Sequence, residues 1–380
     1  MARRLTPTGF EEAAAALAAA AVARQSVRIV GAGTKQRWGR PAHATDVEID
    51  TAGLDRIVEH NAGDLTAVLE AGVPLARAQR QFAAAGQMLA LDPFLGEAHE
   101  ATIGGIVATA DAGPLRHRYG APRDLILGIT VALSDGTIAR SGGKVIKNVA
   151  GYDLGKLLCG SFGTLGLILS INLRLHPLPR ATATALGVSR DAELLAATAR
   201  SLAAAPFELE TLDIAWRSGR GGILARAGGV RAGARADEIG SVMRQAGLDE
   251  VEVVEDDAEL WQRQRAGQRS AEGVLIRVAA RPSALAQVLR AADASAATVV
   301  GRAALGLSFV ELDPDAVDAF ENHLPDGVTA VILDAPSALR EARDPWGPPP
   351  PAPELELMRR IKARFDPAYA CNPGVFVGGI

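Results

Sequence analysis

Between Arg140 and Arg174 the chain reads RSGGKVIKNVAGYDLGKLLCGSFGTLGLILSINLR, with glycines at 142, 143, 151, 155, 160, 163 and 166. Glycine weakens helices and strands wherever its freedom is not needed, so this density points to main chain running close against something that is not protein. Two shorter stretches repeat the theme. Gly31-Ala32-Gly33-Thr34-Lys35 follows the apolar run VRIVG, and Ala101-Thr102-Ile103-Gly104-Gly105 sets a hydroxyl ahead of a glycine pair. Such loops can turn several backbone N–H groups toward a phosphate. Each also has a plainer reading: a turn for the first, and for the second a helix start capped by Thr102 with close packing at its glycines. The first loop is not a Rossmann fingerprint, because Gln36 stands where the third glycine belongs, and Lys35 lacks the spacing of a Walker loop.

A third segment, Gly113-Pro114-Leu115-Arg116-His117-Arg118-Tyr119-Gly120-Ala121-Pro122-Arg123-Asp124, gathers three arginines that could neutralise a pyrophosphate or a substrate carboxylate. A solvated basic loop is the alternative. A bound acid would need a cation for its carboxylate, and removal of a proton from it would need a base. Arg118 is the candidate cation; His117 and Tyr152 are candidate bases, and each has a structural reading as well.

Composition bounds the chemistry. The 380 residues, 48% of them apolar, can bury two substantial cores. A net charge of -4 and 4% aromatics give no basic footprint or stacking platform for nucleic acid. Cys159 and Cys371 are the only cysteines, too few for an iron-sulfur cluster or a thiolate zinc site, and no HExxH pair occurs. No metal site is expected, and redox chemistry would require an organic cofactor.

The elements that must position these loops are readable in outline. MARR and the run Ala13 to Ala23 imitate a signal peptide, but Glu11 and Glu12 interrupt the approach, and Thr8 with Glu11 reads as a capping box opening a surface helix. No apolar run reaches the roughly 18 residues of a membrane span, so a cytoplasmic protein is expected. Strands are predicted at Val27 to Gly31, Thr45 to Asp50, Thr66 to Ala71 and Leu125 to Leu133, the last entering a hairpin at Ser134-Asp135-Gly136; Leu75 to Ala85 has helical periodicity. Beyond Pro177 and Pro179 the glycine motifs stop. Residues 183 to 254 and 274 to 334 each read as β-α-β-β-α-β, two ferredoxin-like halves. Trp346 to Pro353 is a stiff connector, followed by a helix over Glu354 to Phe365 and a Gly/Pro-rich tail that returns to the first domain. The predicted organisation is a first domain over 1–180, a cap over 181–345 and a returning segment over 346–380, with an α+β fold class.

Taken in order, GAGTK (31–35), ATIGG (101–105), RYGAPRD (118–124), GGKVIKNVAGYDLGKLLCGSFGTLG (142–166) and FDPAYACNPG (365–374) resemble the vanillyl-alcohol-oxidase, or PCMH-type, FAD-binding family, and within it the E subunits of bacterial glycolate oxidases. The resemblance is strong over residues 27 to 180, weak in the last 30, and positional between. It implies a two-lobed FAD-binding domain with an α/β cap of ferredoxin-like pattern. It assigns the amides of Ala32, Gly33, Thr34 and Lys35, after Gly31, to the pyrophosphate, and Thr102, Gly104 and Gly105 to a second cradle. Asp92 and Pro93 would pass the flavin ring, Arg118, Tyr119 and Asp124 would line the cofactor cleft, and Gly160, Gly163 and Ile168 would lie on the adenine and ribose side.

Departures from the family pattern carry information too. Members that bind flavin covalently use a His in the first loop or a later Cys; here Thr34, Lys35 and Gln36 fill the loop and His43 reads as an exposed loop residue, so non-covalent FAD is expected. The metal-binding His cluster of the hydroxy-acid oxidase D subunits has no counterpart, since His323 is the one histidine after His176. The resemblance implies a subunit that works with a second FAD-containing oxidase subunit and an iron-sulfur subunit on a small 2-hydroxy acid. A stand-alone FAD-linked oxidase or dehydrogenase, or a scaffold whose flavin is structural or absent, are the alternatives.

Overall fold

A computed structural model describes residues 2–41, 44–144 and 153–380. The chain divides into two compact units: Met1–Ala112, Gly120–Leu178 and Pro348–Ile380 form the first, and Gly113–Tyr119 with Pro179–Gly347 form the second. The seven residues Gly113–Tyr119 therefore group with the second unit although both their neighbours in sequence belong to the first.

The first unit holds two sheets. Arg3–Leu5, Val47–Asp50 and Val27–Val30 make a parallel sheet with Val47–Asp50 in the middle. Against it lies the helix Phe10–Val22, which buries Ala13, Ala14, Leu17 and Ala20 among Val27, Val47 and Ile49; alanines on this face leave no bulk to hold helix and sheet apart. One face of this helix is thus core, where a surface helix was expected. Its start also differs by one residue. Gly9 is the N-cap, and Glu12, not Glu11, accepts from the Thr8 amide and hydroxyl.

The second sheet of this unit is antiparallel, in the order Ile57–Asn61, Thr66–Glu70, Leu167–Arg174, Ile126–Ala132, Ile138–Gly142. Leu167–Arg174 is central and reads LILSINLR because both of its faces are covered along most of its length. The predicted hairpin closes at Gly136, whose φ of +86° suits glycine, while the Asp135 carboxylate accepts from the Thr137 amide at 2.8 Å.

In the second unit one eight-stranded antiparallel sheet carries both predicted ferredoxin-like halves. The first half runs Thr182–Ser189, Ala192–Ala204, Thr211–Arg217, Arg220–Gly228, Ala232–Ala246 and Asp249–Val254. The second runs Val274–Ala279, Leu285–Ala294, Thr298–Arg302, Leu307–Leu312, Val317–His323 and Thr329–Asp334. Within each half the fourth strand pairs the first, the first pairs the third and the third pairs the second. The halves join where Thr211–Arg217 pairs Thr298–Arg302. Leu195, Leu202, Ile214, Trp216, Ile223, Met243, Val299, Val310 and Phe320 share one core, so the halves fold as one body. No helix among the described residues is long and apolar enough to cross a membrane.

Candidate functional site

Strand Val27–Val30 ends at Gly31, where a Cβ would stand 2.3 Å from Thr102 Oγ1. Only glycine lets the first loop touch the second. Gly33 follows with φ +77°, and the turn closes through Gln36 N–H to Gly33 O and Trp38 N–H to Lys35 O. Lys35 turns inward and pairs with Asp111 at 3.1 Å, both side chains 5% exposed. A buried pair of this kind fixes geometry, because separating the charges would leave each one desolvated and alone. Among the described residues no acceptor lies within hydrogen-bond reach of the Ala32 and Gly33 amides. Amides left open in a fixed loop are the donors that an anion requires.

Thr102 caps the helix Ile103–Thr109 by accepting from the Gly105 amide at 3.3 Å. The second loop does not use its two glycines alike. Gly104 donates its N–H to Ala71 O at 2.8 Å, and a Cβ on it would fall 2.7 Å from the Ala71 side chain and 2.8 Å from that carbonyl. Its glycine is needed for packing against Ala71, and its amide is engaged. A Cβ on Gly105 would meet only Thr102 Oγ1, at 3.2 Å. The helix stops at Ala110, held at φ +51°, and the carbonyls of Val107 and Ala108 accept from Gly160 N–H at 3.0 Å and Phe162 N–H at 2.8 Å.

Those bonds bring in the third loop. Gly160, Phe162 and Gly163 all have positive φ, at +80°, +55° and +70°. Between them Ser161 is buried, and its hydroxyl has no partner among the described residues. A buried hydroxyl without a partner is costly unless something absent from the chain satisfies it. No motif or spacing in the sequence singles out Ser161; its signal is a small polar residue enclosed by left-handed positions. The structure thus packs three loops along one short helix, Gly31 against Thr102 at its N-terminal end and Gly160–Gly163 on the carbonyls of its C-terminal end.

The remaining predicted site residues are placed as follows. Pro93 is buried and Asp92 half-buried in an extended segment. That segment is steered by Gln79, on helix Leu75–Ala83, whose side chain donates to Leu89 O and Leu91 O and accepts from the Leu89 amide. Asp124 caps its own short helix by accepting from the Ala121 amide at 2.8 Å. Ile168 is buried in the central strand.

Arg118, Tyr119 and His117 lie in the second unit. Arg118 donates to Glu208 O at 2.7 Å and faces Glu210 at 3.3 Å, and the Tyr119 hydroxyl donates to Glu210 at 2.7 Å. Burial, with Glu210 beside it, pushes the Tyr119 hydroxyl strongly up, so it stays protonated. This corrects the expectation for Arg118: Glu210 already neutralises its charge, which leaves it a poor grip for a substrate carboxylate. His117 Nδ1 is buried without a partner, and burial lowers the pKa of the ring. Tyr152 and His43 lie outside the described residues.

Two open amides, an orphaned hydroxyl and glycines that admit close approach, carried by three loops packed along one short helix, fit the diphosphate of a dinucleotide. Residues 2–142 match the family model of the FAD binding domain. This part of the chain is an FAD binding domain. FAD is therefore its cofactor.

This FAD-binding chain is similar to glycolate oxidase subunit GlcE of Escherichia coli, 40% identical over 155 residues, which cover 40% of this chain and 43% of that protein. It is similar too to glycolate oxidase subunit GlcD of Bacillus subtilis, 35% identical over 163 residues, 42% of this chain and 34% of that one. The matches thus span less than half the length of these curated relatives. Among solved structures, alkyldihydroxyacetonephosphate synthase superposes with a TM-score of 0.71 at 13% identity, over 97% of this chain and 76% of that one, a likeness of fold.

Proposed function

We propose that this FAD-binding chain is a subunit of a cytoplasmic assembly that oxidises a small 2-hydroxy acid, glycolate to glyoxylate, with its FAD held non-covalently. The observation that carries the reading is the cradle formed where Gly31 meets Thr102, with the Ala32 and Gly33 amides and the Ser161 hydroxyl unclaimed among the described residues. The similarity to two glycolate oxidase subunits points to the substrate class and to an assembly. In this reading the partners are a second FAD-containing oxidase subunit and an iron-sulfur subunit.

Bound FAD supplies a two-electron acceptor for the hydride of the hydroxy acid, or a relay toward an iron-sulfur partner. The chain's own residues bind and hold. Ala32 and Gly33 donate to the diphosphate, with Thr34 and Lys35 continuing the loop. The Lys35–Asp111 pair locks that loop to the residues that follow the helix, and Gly105 keeps its approach clear of a side chain. Asp92 and Pro93, steered by Gln79, are assigned to the flavin-ring side. Of the catalytic candidates, His117 is the one whose lowered pKa keeps the ring neutral near pH 7, as a base requires.

The test is purification of the untagged chain from its native source. A yellow complex containing a second flavoprotein and a cysteine-rich protein, bleached by glycolate, is the expected result. A lone yellow chain bleached by glycolate would favour a stand-alone dehydrogenase. A flavin that never changes redox state would make the chain a scaffold.

A further inference from the structure

The C-terminal segment closes on the same loops, and one side chain in it spans two of them. Asn372 Oδ1 accepts from the Ile29 amide at 2.8 Å, two residues before the Gly31 loop, while its Nδ2 donates to Phe162 O at 2.6 Å, beside Ser161. Its backbone is bound in as well: Asn372 N–H donates to Val27 O, Val27 N–H donates to Ala370 O, and Arg40 N–H donates to Val375 O. A Cβ on Gly163 would lie 2.7 Å from Asn372 Nδ2, so Gly163 makes room for this amide.

A second group holds the segment from behind. Lys362, on helix Ala352–Phe365, is 1% exposed and donates to Thr164 O, Cys371 O and the Asp366 carboxylate, all within 2.9 Å. Asp366 accepts in turn from the Ala370 and Cys371 amides. Every donor of the buried ammonium has a polar partner, which is the condition for burying it.

We propose that Asn372 is a positioning residue for the cofactor: it fixes the separation between the first diphosphate loop and the Gly160–Gly163 loop, so that the donors of both meet one FAD. Asparagine suits the place on two counts. It has an acceptor and a donor on one planar group, and it tolerates the left-handed φ of +40° found here. A loop pair held at the right spacing before binding loses less freedom on binding, so affinity is where the side chain acts.

The inference rests on FAD occupying these loops, and wild-type chain titrated with FAD tests that premise separately. Asn372→Gly removes both bonds without backbone strain, and Asn372→Asp keeps the acceptor for Ile29 but loses the donor to Phe162 O. Apoprotein of each variant is titrated with FAD by quenching of flavin fluorescence, and apo and holo forms are melted in parallel. The expected result is a dissociation constant raised at least about tenfold by Asn372→Gly and by a smaller factor by Asn372→Asp, with the holo form losing more melting temperature than the apo form. Wild-type affinity in Asn372→Gly, with apo and holo forms destabilised equally or not at all, would reduce Asn372 to a purely structural residue and overturn the proposal. If Asn372→Gly does not fold, wild-type affinity in Asn372→Asp overturns it as well.

Discussion

The cofactor loops of the first unit and the strand junction of the second hold their buried polar groups by different means. Around Gly31, Thr102 and Ser161 donors are held in place and left open. At the junction of Thr211–Arg217 with Thr298–Arg302, Arg302 and Asp213 are wholly buried and joined at 2.6 Å, Arg302 Nε donates to Gly113 O, and Gln264 adds a bond to Asp213 at 3.0 Å. One region leaves donors open; the other ties the two halves together through a buried ion pair, with Arg302 Nη2 lacking a hydrogen-bond partner among the described residues. The difference is written in residue type, since backbone and glycine make the first, whereas long charged side chains make the second. It also explains why Gly113–Tyr119 groups with the second unit: Arg302 grips its first residue, and Glu210 holds Arg118 and Tyr119 at its end.

The largest effect is expected where the buried ion pair is broken. Arg302→Met leaves the Asp213 carboxylate buried without its cation, a change that typically costs about 3–5 kcal/mol. Urea denaturation should show that loss, and a second replacement, Asp213→Leu in the same chain, should recover much of it. If the single variant is as stable as wild type, the pair does not tie the two halves together.

Next come the two adjacent glycines of the second loop, which put the contrast inside four residues. Gly104→Val drives a side chain into Ala71 and should destabilise the apoprotein by roughly 1–3 kcal/mol, with FAD lost as a consequence. Gly105→Ala meets only a hydroxyl at 3.2 Å and should fold normally while binding FAD more weakly. Apoprotein melts beside FAD titrations separate the two, and equal apo stability in both variants would break the distinction.

How much of this was legible follows from what is local. The β-α-β-β-α-β halves were readable because period and turn residues repeat within each short segment, and the glycine loops because glycine marks where a Cβ does not fit. What the Cβ would strike was not readable. Gly104 was expected to face phosphate and faces Ala71; Arg118 was expected to be a free cation and is paired with Glu210, 92 positions away. Arg302 and Asp213 are 89 residues apart and lie in strands of different halves, so no spacing connects them. At the N-terminus, by contrast, the error was one residue, because Glu11 and Glu12 are both acids and only the helix phase decides which one reaches Thr8.

A smaller effect tests the open region directly. Ser161→Ala removes the orphaned hydroxyl at little steric cost. If that hydroxyl meets FAD, affinity should fall by an amount typical of one hydrogen bond, about 0.5–1.5 kcal/mol, with the apoprotein unchanged or slightly stabilised. Unaltered affinity, read in the same fluorescence titration, would mean that the hydroxyl lies away from the cofactor.

The smallest expected effect concerns His117, and its sign follows from burial. Its folded-state pKa is lowered from the ordinary value near 6.5, so as the pH falls past that value the unfolded chain takes up a proton that the folded chain refuses. Stability contributed by the neutral ring is complete above the unfolded pKa and declines as the pH drops toward the folded one. His117→Gln should flatten this part of the stability–pH curve. If His117 is also the base, the same substitution should lower kcat at pH 7 far more than it changes stability there. A variant that flattens the stability curve and keeps its kcat leaves His117 a structural residue; one that loses kcat makes it part of the reacting site.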